Sequence, residues 1–269
     1  MIAEIGGKRF AWGSRTYVMG IVNVTPDSFS GDGLGGDVEA AIAQGLRMVV
    51  EGADMLDVGG ESTRPGHVPV SVTEEIDRTE SVVRRLARES GVPVSIDTYK
   101  QEVAEVAVAA GATILNDVWG LARSPGMAEL AARRRCALVL MHNQDGTEYA
   151  VDMMVEIKRF LRAAVDRALA AGVPREKVIV DPGIGFGKTA EQNWEVMRRF
   201  TELQELGQPV LIGTSRKSFI GRLLDLPVSE RLEATISTNV AAVLRGADVV
   251  RVHDVLPVAR AVRAADHMR

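Results

Sequence analysis

Short apolar runs and longer amphipathic stretches take turns along the chain. The runs fall at 17–24, 54–59, 93–97, 112–118, 136–142, 178–181, 209–214 and 247–253. Each is rich in Val, Ile or Leu and bounded by turn residues, the pattern of a parallel strand buried on both faces. The stretches between them carry apolar residues at helical spacing: Ala40, Ala41, Leu46, Val49 and Val50 in the first, Val155, Phe160, Leu161, Val165 and Leu169 in the fifth. Gly52, Gly91, Gly111, Gly172, Gly207 and Gly246 stand between such a stretch and the next run, where helices end in left-handed caps. Eight alternations with no linker predict one α/β domain over 1–269, a closed (β/α)8 TIM barrel. An open doubly wound sheet is the runner-up, but it would more often split into halves, and no composition break supports that. Residues 1–16 carry Gly6-Gly7 between short apolar-polar segments, which predicts a short N-terminal β-hairpin.

Polar residues close nearly every run: Asn23, Asp57 with Glu61, Asp97, Asn116-Asp117, His142, Asp181, Ser215-Arg216-Lys217, and Arg251 with His253. In such a barrel the C-terminal strand ends share one mouth, where active sites sit. The bulk numbers then narrow the partners. The chain is 46% hydrophobic and 25% charged with net charge −4, ordinary for a globular protein and unsuited to nucleic acid as main partner. The single cysteine, Cys136, opens an apolar run and reads as a core residue. Neither a signal peptide nor a membrane span is evident, so a reducing cytoplasm is expected.

Candidate chemistry centres on Asp181-Pro182-Gly183-Ile184-Gly185-Phe186-Gly187-Lys188-Thr189, a glycine-rich turn between an apolar run and a helical pattern. Pro182 stands where a nucleotide phosphate loop needs glycine, and the third glycine comes one residue early for a dinucleotide fingerprint. Asp97, Asn116, Asp181 and Lys217 suit a flat, nitrogen-rich heterocycle: carboxylates accept paired N–H groups, Asn both donates and accepts, and Lys donates. Taken singly, each reads equally well as a surface salt bridge or a helix cap; together they favour a pocket. Arg251 and His253, two residues apart on one strand face, suit diphosphate oxygens, with Asn23 beside them. With no His/Cys cluster at zinc spacing, any metal is expected to be Mg²⁺, held by substrate phosphates and Asn23. Ser215-Arg216-Lys217-Ser218 starts a helix, whose N-terminus would favour a carboxylate. Phe186 and Phe29 offer apolar walls, or plain core packing. The glycine-rich and polar stretches 25–36 and 61–66 suit mobile lids.

These residues resemble dihydropteroate synthases. The matching stretches are Met19 to Ser30, Asp57 to Gly66, Ser95 to Thr98, Asn116 to Val118, Leu140 to His142, Asp181 to Lys188, Ser215 to Ser218, and Arg251 to Val255. The resemblance implies condensation of (7,8-dihydropterin-6-yl)methyl diphosphate with 4-aminobenzoate, giving 7,8-dihydropteroate and diphosphate with Mg²⁺. It implies that Asp97, Asn116, Met141, Asp181, Gly185 and Lys217 bind the pterin. Asn23, Thr63, Arg251 and His253 would take the diphosphate, with Asn23 on the metal. Phe29, Thr63, Arg64, Pro65, Phe186, Lys217 and Ser218 would shape the aminobenzoate site. It further implies a homodimer and sulfonamide competition. No Ser/His/Asp or Cys/His set is evident, so no covalent enzyme intermediate is expected. Two positions depart from the family: Gly31 shifts the first-loop acid to Asp32, and Asn143 follows His142. The alternatives are a pterin-dependent methyltransferase and a pterin-binding paralogue without activity.

Overall fold

Strand and helix alternate along the whole chain. The computed structural model describes residues 1–25, 38–62, 69–124 and 126–269. It opens with β1 (Ile2–Ile5), β2 (Lys8–Ala11), β3 (Tyr17–Asn23), α1 (Val38–Glu51), β4 (Met55–Gly59), α2 (Val72–Glu89) and β5 (Val94–Asp97). Then come α3 (Gln101–Ala110), β6 (Ile114–Asp117), α4 (Gly126–Arg134), β7 (Ala137–Met141), α5 (Met153–Ala170), β8 (Val178–Asp181) and α6 (Ala190–Arg198). The last elements are β9 (Leu211–Ile212), α7 (Ser218–Leu224), α8 (Leu232–Val243), β10 (Val249–Val252) and α9 (Val255–Asp266).

β1 and β2 form the expected antiparallel hairpin. The other eight strands form one parallel sheet in the order β8-β7-β6-β5-β4-β3-β10-β9. A single bridge between Val180 and Val210 joins its two edges, so the barrel is nearly closed. The run at 209–214 yields only the two-residue β9, and its chemistry explains why. Pro209 has no N–H for the ladder, and the Val210 N–H is taken by the Asp248 carboxylate at 3.0 Å.

Strand alternation splits the apolar residues into two cores. Val18, Val22, Leu56, Val58, Ile96, Leu138 and Val180 face the helices. Met19, Met55, Ile114, Val139, Ile179, Leu211 and Val249 face the barrel interior, packed with Ile5, Phe10, Trp12 and Tyr17. The hairpin therefore caps the N-terminal end. Its rings stack on the interior layer, with Phe10 and Tyr17 centroids 4.8 Å apart. Trp12 Nε1 donates to the Glu176 carbonyl at 2.9 Å, and the Gly13 N–H donates to Asp248 at 2.8 Å. Cys136 is buried, as expected of a core residue.

Candidate active site

The interior face that carries apolar residues at one end carries polar ones at the other. In register, Asn23 pairs with Gly59, Gly59 with Asp97, and Asp97 with Asn116. Met141 pairs with Asp181 in the same way. Asp97, Asn116, Met141 and Asp181 are all buried. Above them lies a cavity of about 530 Å³ whose walls include Asn23, Asp97, Phe186, Lys217, Arg251 and His253. Gly185 and Ser218 also line it, whereas Asn116, Met141 and Asp181 do not. Phe29, Thr63, Arg64 and Pro65 fall outside the described residues, as does the shifted acid Asp32.

Asp57, which the sequence placed at a strand end without a role, lies at the centre of the site. It has 0% exposure, and its Oδ2 accepts from Arg251 Nε at 2.6 Å and Asn116 Nδ2 at 3.0 Å. A second Arg251 nitrogen donates to Asp97 Oδ2 at 2.8 Å. The guanidinium thus lies between two carboxylates. The other oxygens, Asp57 Oδ1 and Asp97 Oδ1, are buried without a hydrogen-bond partner among the described residues. Buried acceptors without donors are costly, and Asp97, which lines the cavity, could accept from a donor-rich ring. One signal could have given Asp57 its role: it lies on the same strand face as Gly59, which pairs with Asn23 and Asp97.

Burial pushes the Asp97 carboxyl up to about 7, against the attraction of Arg251 and with added repulsion from Asp57 and Glu75. Burial also raises Asp181, opposed by Lys217, by the Gly183 N–H and by Lys188 and Arg251. Asp181 Oδ1 accepts that N–H at 2.7 Å.

Lys217 donates to the Ile184 carbonyl and lies 4.5 Å from the Phe186 ring centre. It is the N-cap of α7, whose first residue is Ser218. Ser215 Oγ holds His253 Nδ1 at 3.0 Å and accepts the His253 backbone N–H at 3.2 Å. Arg216 has φ of 56°, pairs with Asp254 at 2.6 Å and also lines the cavity. Lys188 and His142 were also unforeseen as a pair: Lys188 Nζ is 3.0 Å from His142 Nδ1. Among the described residues, no group of three or more His, Cys, Asp and Glu side chains is placed to hold a metal. Asn23 offers one neutral oxygen, as a metal held chiefly by phosphate and water would require.

The profile of the family described as pterin binding enzyme matches residues 19–253. A curated dihydropteroate synthase of Clostridium beijerinckii is 49% identical over 264 residues, covering 98% of each chain. The chain belongs to the dihydropteroate synthase family of pterin binding enzymes. Solved structures of this family superpose closely. A Yersinia pestis dihydropteroate synthase with a sulfonamide drug complex gives a TM-score of 0.95 at 38% identity, covering 100% of this chain and 99% of that one. The Xanthomonas albilineans enzyme with 4-aminobenzoic acid gives 0.92 at 42% identity, covering 99% and 97%. Members of this family are transferases, and this chain places buried acids and cationic side chains at one barrel mouth.

Proposed function

We propose that the chain condenses (7,8-dihydropterin-6-yl)methyl diphosphate with 4-aminobenzoate to give 7,8-dihydropteroate and diphosphate. The observation that carries this reading is the pair of buried acids, Asp97 and Asp181, with Asn116 between them in the barrel interior below a cationic rim. In this reading the amino-pyrimidinone edge of the pterin donates to Asp97 and Asp181. Asn116 supplies a further contact, Met141 and Gly185 pack on the ring, and Lys217 donates from the rim. Asn23, Thr63, Arg251 and His253 take the diphosphate. Phe29, Thr63, Arg64, Pro65, Phe186, Lys217 and Ser218 form the aminobenzoate site.

The reaction then needs positioning more than covalent help. The bond from the methylene carbon to the diphosphate oxygen breaks, and the diphosphate leaves with the electron pair. Arg251 and His253 stabilise that developing charge. The guanidinium is already held between Asp57 and Asp97, so an arriving diphosphate competes with Asp97 while Asp57 keeps the guanidinium aligned through Nε. Carboxylates against the pterin favour cationic character at the methylene carbon. The amine nitrogen of aminobenzoate attacks that carbon from a fixed second site and afterwards loses a proton to water. Mg²⁺, when bound beside Asn23, would supply further neutralisation of the diphosphate oxygens.

The working unit in this reading is a homodimer in the cytoplasm. Among the described residues no helix is long and apolar enough to cross a membrane. The assay that tests the function follows diphosphate released from the pterin diphosphate. Release that depends on aminobenzoate is expected. A methyltransferase or a pterin binder without activity would release none, and that result would sink the reading.

A further inference from the structure

The cavity chemistry accounts for Lys217 but not for Lys188, in the glycine-rich turn after β8. Lys188 is 9% exposed, and its ammonium has three partners for its three protons. They are the carbonyls of Gly183 and Phe186, each at 3.0 Å, and His142 Nδ1 at 3.0 Å. His142 in turn belongs to the neighbouring strand end: its backbone N–H donates to the Asp181 carbonyl at 2.9 Å. Its ring stacks on Tyr149 and meets the Phe160 edge at 5.1 Å.

The segment wrapped around this amine carries residues assigned to both substrates. Gly183, Gly185 and Gly187 have φ of 73°, 84° and 54°, the left-handed backbone that glycine adopts without strain. The Gly183 N–H holds Asp181 Oδ1. The Phe186 N–H closes a turn onto the Gly183 carbonyl at 3.1 Å, the oxygen that Lys188 also binds. The ring of Phe186 faces the cavity on the other side, against Lys217. Lys188 therefore grips from within the turn that Lys217 touches from without.

We propose that Lys188 is a positioning residue: its buried ammonium stitches residues 183–187 to His142 and so fixes the Asp181 carboxylate and the Phe186 ring against the two substrates. The inference rests on the assignment of Asp181 to the pterin and Phe186 to the aminobenzoate. The charged and titratable groups facing Lys188 are His142 after β7, Asp181 on β8 and Lys217 ahead of α7. Burial lowers the amine to about 7, opposed by Asp181 and reinforced by Lys217. Removing the cation takes away one of the attractions that oppose the raised Asp181 value.

The test is K188M, which keeps the length of the side chain and loses both charge and donors. In a variant with a cooperative melt, the KM for pterin diphosphate and that for aminobenzoate should each rise about tenfold. Affinity for Mg²⁺-diphosphate, read by calorimetry at Asn23, Arg251 and His253, should stay within about twofold. The acid limb of pterin affinity should move to higher pH, because Asp181 loses a nearby cation. Unchanged KM values and an unmoved acid limb in folded K188M would overturn the proposal, and so would an equal loss of Mg²⁺-diphosphate affinity. If K188M does not fold, H142F carries the same test. It removes one acceptor, and the same direction with smaller losses is expected; wild-type constants in folded H142F would equally overturn it. Failure of the functional reading looks different, since the wild-type protein would then release no diphosphate in response to aminobenzoate.

Discussion

Asp57 has no exposed surface, yet it meets a guanidinium and an amide from strands far apart in the chain. Breaking a buried pair from one side costs about 3–5 kcal/mol, because the partner charge stays behind. Asp57→Ala should therefore lower unfolding free energy by roughly 3 kcal/mol in denaturant melts. It should also change the titration of Asp97. The folded value there, about 7, lies above the ordinary 3.8. Between those values the folded state holds a proton that the unfolded chain has released. This residue's contribution to stability therefore falls as pH rises through that window. Without Asp57, a like charge is gone and Arg251 turns wholly to Asp97, so the Asp97 value should drop. The acid limb of pterin affinity should then move to lower pH, opposite to the shift expected for K188M. An unmoved limb would mean that Asp57 and Asp97 are not coupled.

The turn after β8 has the tightest backbone of the site. A Cβ added at Gly183 would lie 1.9 Å from the His142 carbonyl oxygen, and φ there is 73°. The two nearest atoms, the carbonyl oxygen and carbon of His142, are backbone, so neither can give way cheaply. Gly146 makes a control: φ is 80°, but nothing lies within 4 Å of its added Cβ. Gly146→Ala should cost only the left-handed penalty of about 1–2 kcal/mol. Gly183→Ala should cost clearly more in the same thermal melt and should abolish pterin binding. Equal costs would mean that the turn is looser than it looks. Most elements were legible in the sequence, because strand runs and glycine caps are local signals: the runs at 54–59 and 178–181 match β4 and β8 within a residue. The strand ends named the polar residues for the same reason. What stayed hidden was pairing. Arg251 reads as an anion site by residue type, but its contacts with Asp57 and Asp97 span 194 and 154 residues. Lys188 reads as a polar loop residue, and only the folded turn places three acceptors around it.

Across the whole molecule, depth separates the two proposed substrate sites. Asp97, Asn116 and Asp181 are 6%, 5% and 7% exposed. Lys217 is half-buried and Ser218 exposed. The remaining aminobenzoate residues, Phe29 and Thr63 to Pro65, belong to two stretches near the start of the chain, and the first has glycines at 31, 33, 35 and 36. Ordering such a stretch costs about 1–2 kcal/mol per residue, which bound diphosphate would offset. Aminobenzoate should therefore bind weakly to the protein alone and at least about tenfold more tightly with Mg²⁺-diphosphate present. Equal affinities in paired titrations would point to a preformed second site. The hairpin at the other end gives that order a further meaning. Phe10, Trp12 and Tyr17 close the N-terminal end of the barrel against its innermost apolar layer. A chamber with one door works as a stack: the deep guest must be seated before the shallow one and can depart only after it. The stopper built from the first strands thus dictates the traffic at the opposite end, with no moving part of its own.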